Sequence, residues 1–447
     1  MHTHSEIDWP GVQDEAVSLL QDLLRLDTTN PPGNETAAIE YINALLQDLG
    51  LKPTVVSGAP GRPSLVVRIP GCGKRPSLML DSHVDVVPAN PSEWKVHPFS
   101  GDIKDGCIWG RGALDMKHMT AMSLTIVRTI VRHKIPLQGD LVVTATADEE
   151  GGANLGAFHL ADNHPDLVRA DYAIGEVGGM NYTINGTRLY PVQVAEKGVC
   201  WLRLKVTGPG GHGSMPKHDA VPFRLSKLLE RLAGLRFPNS PHPAALAFLD
   251  AMARLSPLPD RAVLQAIRKG IATDVLIDRV IPYNKRGGLR AINSHTCQPT
   301  VVRCGDKVNV IPTTGEVQVD CRMLPGTSPE EMTRLVEKAV GNLATVEFMN
   351  GHRGHATPMD NPLLSQIVRT MKVMDPEGVV SPYLMPGFTN GGAWSGLGIK
   401  YVGFTPVMLP PTMDFPSLFH APDERIPVDG FRWGVRTLFD VVHGFLS

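Results

Sequence analysis

Two rhythms of apolar and polar positions alternate along the chain through Glu196. Apolar residues at i, i+3 and i+4 over Glu15–Leu26 and Glu35–Leu49 predict amphipathic helices, the second closed by Gly50. Short apolar or β-branched runs predict strands at Ser64–Ile69, Ser77–Asp81, Asp140–Thr146 and Tyr172–Gly175, with further helices at Met116–Val131 and Asn154–Asn163. This alternation predicts an α/β fold: a mostly parallel mixed sheet flanked by helices. After Glu196-Lys197-Gly198 the texture changes. Cys200–Thr207 alternates as a strand and runs into Gly208-Pro209-Gly210-Gly211-His212-Gly213-Ser214. A helix over Ala220–Leu235, strands at Gln298–Arg303 and Gly315–Arg322, a helix at Pro329–Leu343 and a strand at Thr345–Met349 make a smaller α+β unit. The expected organisation is a catalytic domain in two parts, 1–198 and 350–447, around an inserted domain at 199–349.

Polar residues break the apolar runs at their carboxyl ends, where α/β sheets carry their chemistry. Leu78–Pro88 reads LMLDSHVDVVP; His83 and Asp85 leave an extended chain on one face, and a ligating His needs a carboxylate to orient its ring. Alone, such a pair could simply open a loop. Four more motifs extend it: Asp115 in WGRGALDMK, Asp148-Glu149-Glu150 in LVVTATADEEGG, Glu176 in AIGEVGG and His420 in LFHAPDERIP. Two His, one Asp and two Glu at such ends make a complete carboxylate-rich dinuclear metal set, with one carboxylate shared. Glu149-Glu150 could be solvated charge, but the following Gly151-Gly152 and the divergence of neighbouring side chains favour a functional pair. His420 has a competing reading as a surface His beside Asp423 and Glu424. Asp81 and Asp148 read as structural, and His118, His355 and the other histidines as non-ligands; His2 and His4 read as a disordered terminus.

In this order the five motifs resemble the co-catalytic di-zinc hydrolases that include aminoacylase, acetylornithine deacetylase, succinyl-diaminopimelate desuccinylase, carboxypeptidase S and bacterial glutamate carboxypeptidase, from Leu19 to Phe445. The resemblance implies two Zn2+ per subunit, with Co2+ or Mn2+ as substitutes. His83 and Glu176 would hold one ion, Glu150 and His420 the other, with Asp115 bridging, Asp85 orienting His83 and Glu149 as catalytic base. It implies a cis peptide at Asp115-Met116. It makes the inserted domain a lid and dimerisation domain, with His212 reaching across a homodimer to polarise the scissile carbonyl. Asn309 and Arg322 match positions that bind the substrate's carboxylate side, although Arg322 could equally cap a strand. Thr389 and Gly391 lie in GFTNGGAW, where Thr389 matches and Gly391 and Ala393 replace acidic and basic positions. The segment Phe237–Asp306 reads as extra helical packing or, less favoured, as a wall for a bulky or lipophilic acyl group. The implied reaction is hydrolysis of the amide bond of an N-acyl amino acid or of a peptide's C-terminal residue. A dipeptidase or aminopeptidase on the same fold, and a silent zinc-binding scaffold, are the alternatives.

Composition narrows the setting. At 447 residues the chain can bury two sizeable cores. A formal charge of −2 gives no basic field for nucleic acid or anionic lipid. Six scattered cysteines suit buried thiols rather than a disulfide framework. No apolar run approaches a membrane span and the N-terminus lacks a signal-peptide h-region, so a cytoplasmic protein is expected.

Overall fold

The computed structural model describes residues 7–447; His2 and His4 lie outside the described residues. The chain divides into two compact units, one formed by Met1–Val194, Thr357–Tyr383 and Thr389–Ser447, the other by Ala195–Ala356 and Leu384–Phe388.

The first unit is built on a nine-stranded mixed sheet. Its parallel pairings join Leu141–Thr146 to Leu78–His83, Leu78–His83 to Tyr172–Gly175, and Tyr172–Gly175 to Lys400–Gly403. Antiparallel pairs flank this centre, Thr54–Ser57 with Pro63–Ile69 and Pro63–Ile69 with Leu141–Thr146 on one side, Lys400–Gly403 with Thr187–Glu196 on the other. The first three central strands are buried at every position, which is why they read as continuous apolar runs rather than alternating ones. Because they run parallel, their carboxyl ends emerge together, and the segments carrying His83, Glu149 and Glu176 leave one edge side by side. The helix Lys117–Arg132 is buried along most of its length. At its start the Lys117 ammonium donates to the carbonyls of Leu23 and Leu26 at 3.0 and 2.7 Å, capping the helix Trp9–Arg25. Burial pushes this amine down to about 7.

In the second unit a four-stranded antiparallel sheet runs in the order Thr296–Cys304, Thr314–Met323, Gly198–Thr207, Thr345–His352. Alternate residues such as Leu202, Leu204, Val317 and Val319 pack against Leu225 and Leu228 of helix Val221–Ala233 and Met332 and Val336 of helix Pro329–Val340. The second helix opens on a capping box, Ser328 with Glu331. Between Phe237 and Asp306 the chain folds mainly as four helices, Pro243–Leu255, Asp260–Arg268, Thr273–Arg279 and Tyr283–Asn293, the packing read from the sequence. All six cysteines are unpaired, and no helix among the described residues is long and apolar enough to cross a membrane.

Candidate metal centre

His83 closes its strand with a fully buried ring. Its Nδ1 faces the Asp85 carbonyl at 2.9 Å and the Asp85 carboxylate at 3.4 Å. Two acceptors on that side put the proton on Nδ1 and leave the Nε2 lone pair for a ligand. Around Nε2 stand Asp115 Oδ1 at 3.3 Å, Glu176 Oε2 at 3.6 Å and Glu149 Oε2 at 3.8 Å. The other oxygen of Asp115 lies 3.0 Å from His420 Nε2, which lies 3.3 Å from Glu150 Oε2. One carboxylate thus faces two imidazoles with its two oxygens, the disposition of a bridge between two ions. Two donor triads overlap at His83, with Glu149 and Glu176 in one and Asp115 and Glu150 in the other, all donors of each within 4.8 Å. The Asp115-Met116 peptide is cis, as the resemblance implies, and so is Glu176-Val177. His420 holds a left-handed backbone, φ 58°, and its side chain is 54% exposed, so the cluster is open on that side. His118 lies outside both triads, and burial pushes it down to about 3, keeping it neutral.

The electrostatics ask for cations. Among the described residues no Lys or Arg pairs with Asp115, Glu149, Glu150 or Glu176; only the two imidazoles do. Burial and the neighbouring Glu176 charge push Glu149 well above its ordinary value. Burial lifts Glu176 to about 7 against the pull of His83. Hydrogen bonds donated to the Asp115 and Glu150 carboxylates raise His420 to about 10. Glu150 Oε1 is buried with no hydrogen-bond partner among the described residues. Crowded carboxylates, an orphaned buried oxygen and imidazole nitrogens aimed inward fit divalent ions that take mixed N and O ligands.

Around the donors stand supporting residues, of which no sequence motif singled out Asn30, Glu35, Arg62 or Glu424 as a support. Asp85 accepts the amides of Glu149 and Glu150, each at 3.1 Å, and the Asn30 amide at 2.8 Å, which fixes the turn bearing both glutamates. Asp148, read as structural, has φ 66° and accepts from Arg62 at 3.0 Å, Asn30 at 3.3 Å and the Leu155 amide at 3.0 Å. Arg62 in turn grips the fully buried Glu35 at 2.7 and 2.8 Å. Glu424 accepts four hydrogen bonds beneath Asp115. Asp81 is held by Thr144 at 2.7 Å. Thr389 is buried and its hydroxyl accepts the Gly391 amide at 3.0 Å, while Asn390 between them donates to Thr146 at 2.9 Å, tying this loop to the strand that leads to Glu149.

Within the second unit, His212 and Val310 pair in a short two-stranded ladder, and the Gly213 amide donates to the Asn309 carbonyl at 2.9 Å, so His212 and Asn309 share one exposed loop cluster. His212 Nδ1 accepts the Ser214 amide at 3.2 Å, which leaves the ring proton on Nε2. Arg322 lies apart on the strand Thr314–Met323, with its fork closed on Asp320 at 2.8 and 3.0 Å.

Known proteins extend these observations. Aminoacylase-1 of Pongo abelii is 28% identical over 439 residues, which span 95% of this chain and 94% of the relative. The structure of an M20 family metallo-carboxypeptidase from Sulfolobus solfataricus superposes with a TM-score of 0.71 at 20% identity, over 97% of this chain and 99% of that one. That of Bacillus subtilis YXEP, a dinuclear metal binding peptidase, does so with a TM-score of 0.62 at 12% identity, over 98% and 99%. The sequence profile of peptidase family M20/M25/M40 matches residues 79–443, the span from the strand of His83 past His420. With His83, Glu149 and Glu176 delivered at the ends of parallel strands and the profile matched over that span, the chain belongs to peptidase family M20/M25/M40.

Proposed function

We propose that the chain is a dinuclear zinc amidohydrolase that releases an amino acid from an N-acyl amino acid or a short peptide with a free C-terminal carboxylate. The observation that carries it is Asp115, whose two oxygens face His83 at 3.3 Å and His420 at 3.0 Å, with Glu176 and Glu150 completing the two sides. His83 and Glu176 would hold one ion and Glu150 and His420 the other, with Co2+ or Mn2+ able to substitute. Bound there, the ions supply Lewis acidity that polarises an amide carbonyl and acidifies water. Glu149 takes the proton of the attacking water and returns it to the leaving nitrogen. Asp85 keeps the His83 tautomer fixed. His212 donates a hydrogen bond from its Nε2–H to the developing oxyanion from a second subunit of a homodimer, so residues 199–349 act as lid and dimerisation domain. Asn309 and Arg322 take the substrate carboxylate, and Thr389 and Gly391 line the substrate side.

Similarity to aminoacylase-1 over 95% of the chain supports this substrate class. A hydrolysis panel tests it: N-acyl amino acids of increasing acyl length, dipeptides with free and blocked amino termini, and each substrate's C-terminal amide. Cleavage of blocked substrates with loss on amidation supports the reading; a strict need for a free α-amino group would replace it with a dipeptidase or aminopeptidase.

A further inference from the structure

We infer that Glu424 is the positioning residue that sets the bridging carboxylate of Asp115 and ties it to the His420 loop, an inference that rests on the dinuclear reading above. The Glu424 carboxylate is fully buried. One oxygen accepts the amides of Leu114 at 2.7 Å and Asp115 at 3.1 Å. The other accepts Arg111 Nη1 at 2.7 Å and the Gly112 amide at 3.2 Å. The loop that presents Asp115 is therefore wrapped around one side chain, contributed by a segment more than 300 residues away in sequence.

That segment is the one carrying His420, four positions upstream. His420 itself is largely exposed, so its place depends on how the residues immediately C-terminal to it are anchored. There, Asp423 accepts the Lys95 amide at 2.8 Å, the Glu424 carbonyl accepts the Gly110 amide at 3.1 Å, and Arg425–Pro427 pairs with Cys107–Trp109. Glu424 is the anchor among these that reaches Asp115 directly. Arg111, itself buried and 5.2 Å over the Trp94 ring, balances its charge.

The donor count explains why the residue is Glu. Four donors converge on two oxygens, and only an ionised carboxylate is acceptor at both. A Gln keeps the shape but turns an NH2 group against two of these donors. An Asp keeps the charge but draws back from the Leu114 and Asp115 amides by one methylene. Either change should tilt Asp115 relative to His83 and His420. Support of this kind around a metal ligand is worth roughly 10–100-fold in metal affinity.

The test uses the full-length protein loaded with Co2+, whose visible absorption reports ligand geometry. Glu424→Gln, Glu424→Asp and a control, Asp115→Asn, are titrated with Co2+ against a competing chelator, and the melting of each metal-free protein is followed. The expected result is a loss of at least ~10-fold in affinity for one ion and an altered cobalt spectrum in Glu424→Gln. Glu424→Asp, which keeps Arg111 balanced if Glu424→Gln does not fold, should shift the spectrum by itself. Wild-type affinity and spectrum in the folded Glu424 variants, alongside a lower melting temperature, would make Glu424 merely structural and overturn the inference, provided Asp115→Asn loses metal. If Asp115→Asn keeps both ions, the dinuclear reading itself is wrong, and the inference falls with it.

Discussion

The two units treat their candidate residues in opposite ways. In the first, four carboxylates and two imidazoles crowd together with no Lys or Arg among the described residues to balance them. In the second, Arg322 pairs through Nε and Nη2 with Asp320, its Nη1 buried without a partner among the described residues, and His212 Nδ1 accepts from Ser214. The first arrangement is costly unless a cation arrives, because unpaired buried charge is destabilising. The second costs little and leaves surface groups available to a substrate. The candidate metal centre thus stands out by carboxylates without a Lys or Arg counter-ion among the described residues, whereas the proposed substrate contact Arg322 already holds a carboxylate partner.

The contrast breaks most sharply at the bridge. Asp115→Ala should lose metal and take turnover to background, as measured by elemental analysis of the purified protein beside a single-turnover assay. Retained activity would mean that the crowded carboxylates are not the centre. His212→Ala should lower turnover by roughly 100-fold, the scale of one lost oxyanion donor, while metal content and dimerisation stay intact. Mixing those chains with Glu149→Gln chains should restore activity in the heterodimer. Mixed dimers that form and stay dead would return His212 to a structural role or to its own subunit.

A smaller effect is expected at Arg322. Arg322→Met should raise KM about tenfold with kcat held, the size of a charge-assisted hydrogen bond. An unchanged KM would leave Arg322 as the partner of Asp320 alone. The smallest effect is on stability. Glu176 is raised from 4.5 to about 7 in the metal-free fold, so the native state holds this proton where the unfolded chain has released it. Its contribution is greatest below 4.5 and falls as pH rises through 7. The chelated protein should melt progressively lower across that window, and added Zn2+ should flatten the slope, since metal displaces the proton. A rising melting temperature in the chelated protein would contradict the sign.

Much of this was readable in the sequence because strand ends announce themselves. The apolar run Leu78-Met79-Leu80 stops at polar Asp81, two residues before His83, and Leu141–Thr146 stops just short of Glu149. Pro63–Ile69, Leu78–His83, Leu141–Thr146 and Tyr172–Gly175 match the sequence reading to within a few residues for the same reason, whereas Lys400–Gly403 and Thr187–Glu196 have no counterpart in it. Asn30, Glu35, Arg62 and Glu424 were not recognised as supports. Their partners lie tens to hundreds of positions away, so no local pattern separates a buried Glu424 from a solvated one. Nor does any local pattern show that Leu384–Phe388, between two stretches of the first unit, belongs to the second.

The proposed mechanism turns on Glu149, which stands 3.8 Å from His83 and shares a donor triad with Glu176. Such a residue could be a ligand or the base. The measurement is the metal content and turnover of Glu149→Gln, taken on the same sample. Both ions should be retained and turnover reduced by at least ~100-fold. Loss of an ion together with activity would make Glu149 a ligand and contradict its assignment as the proton carrier.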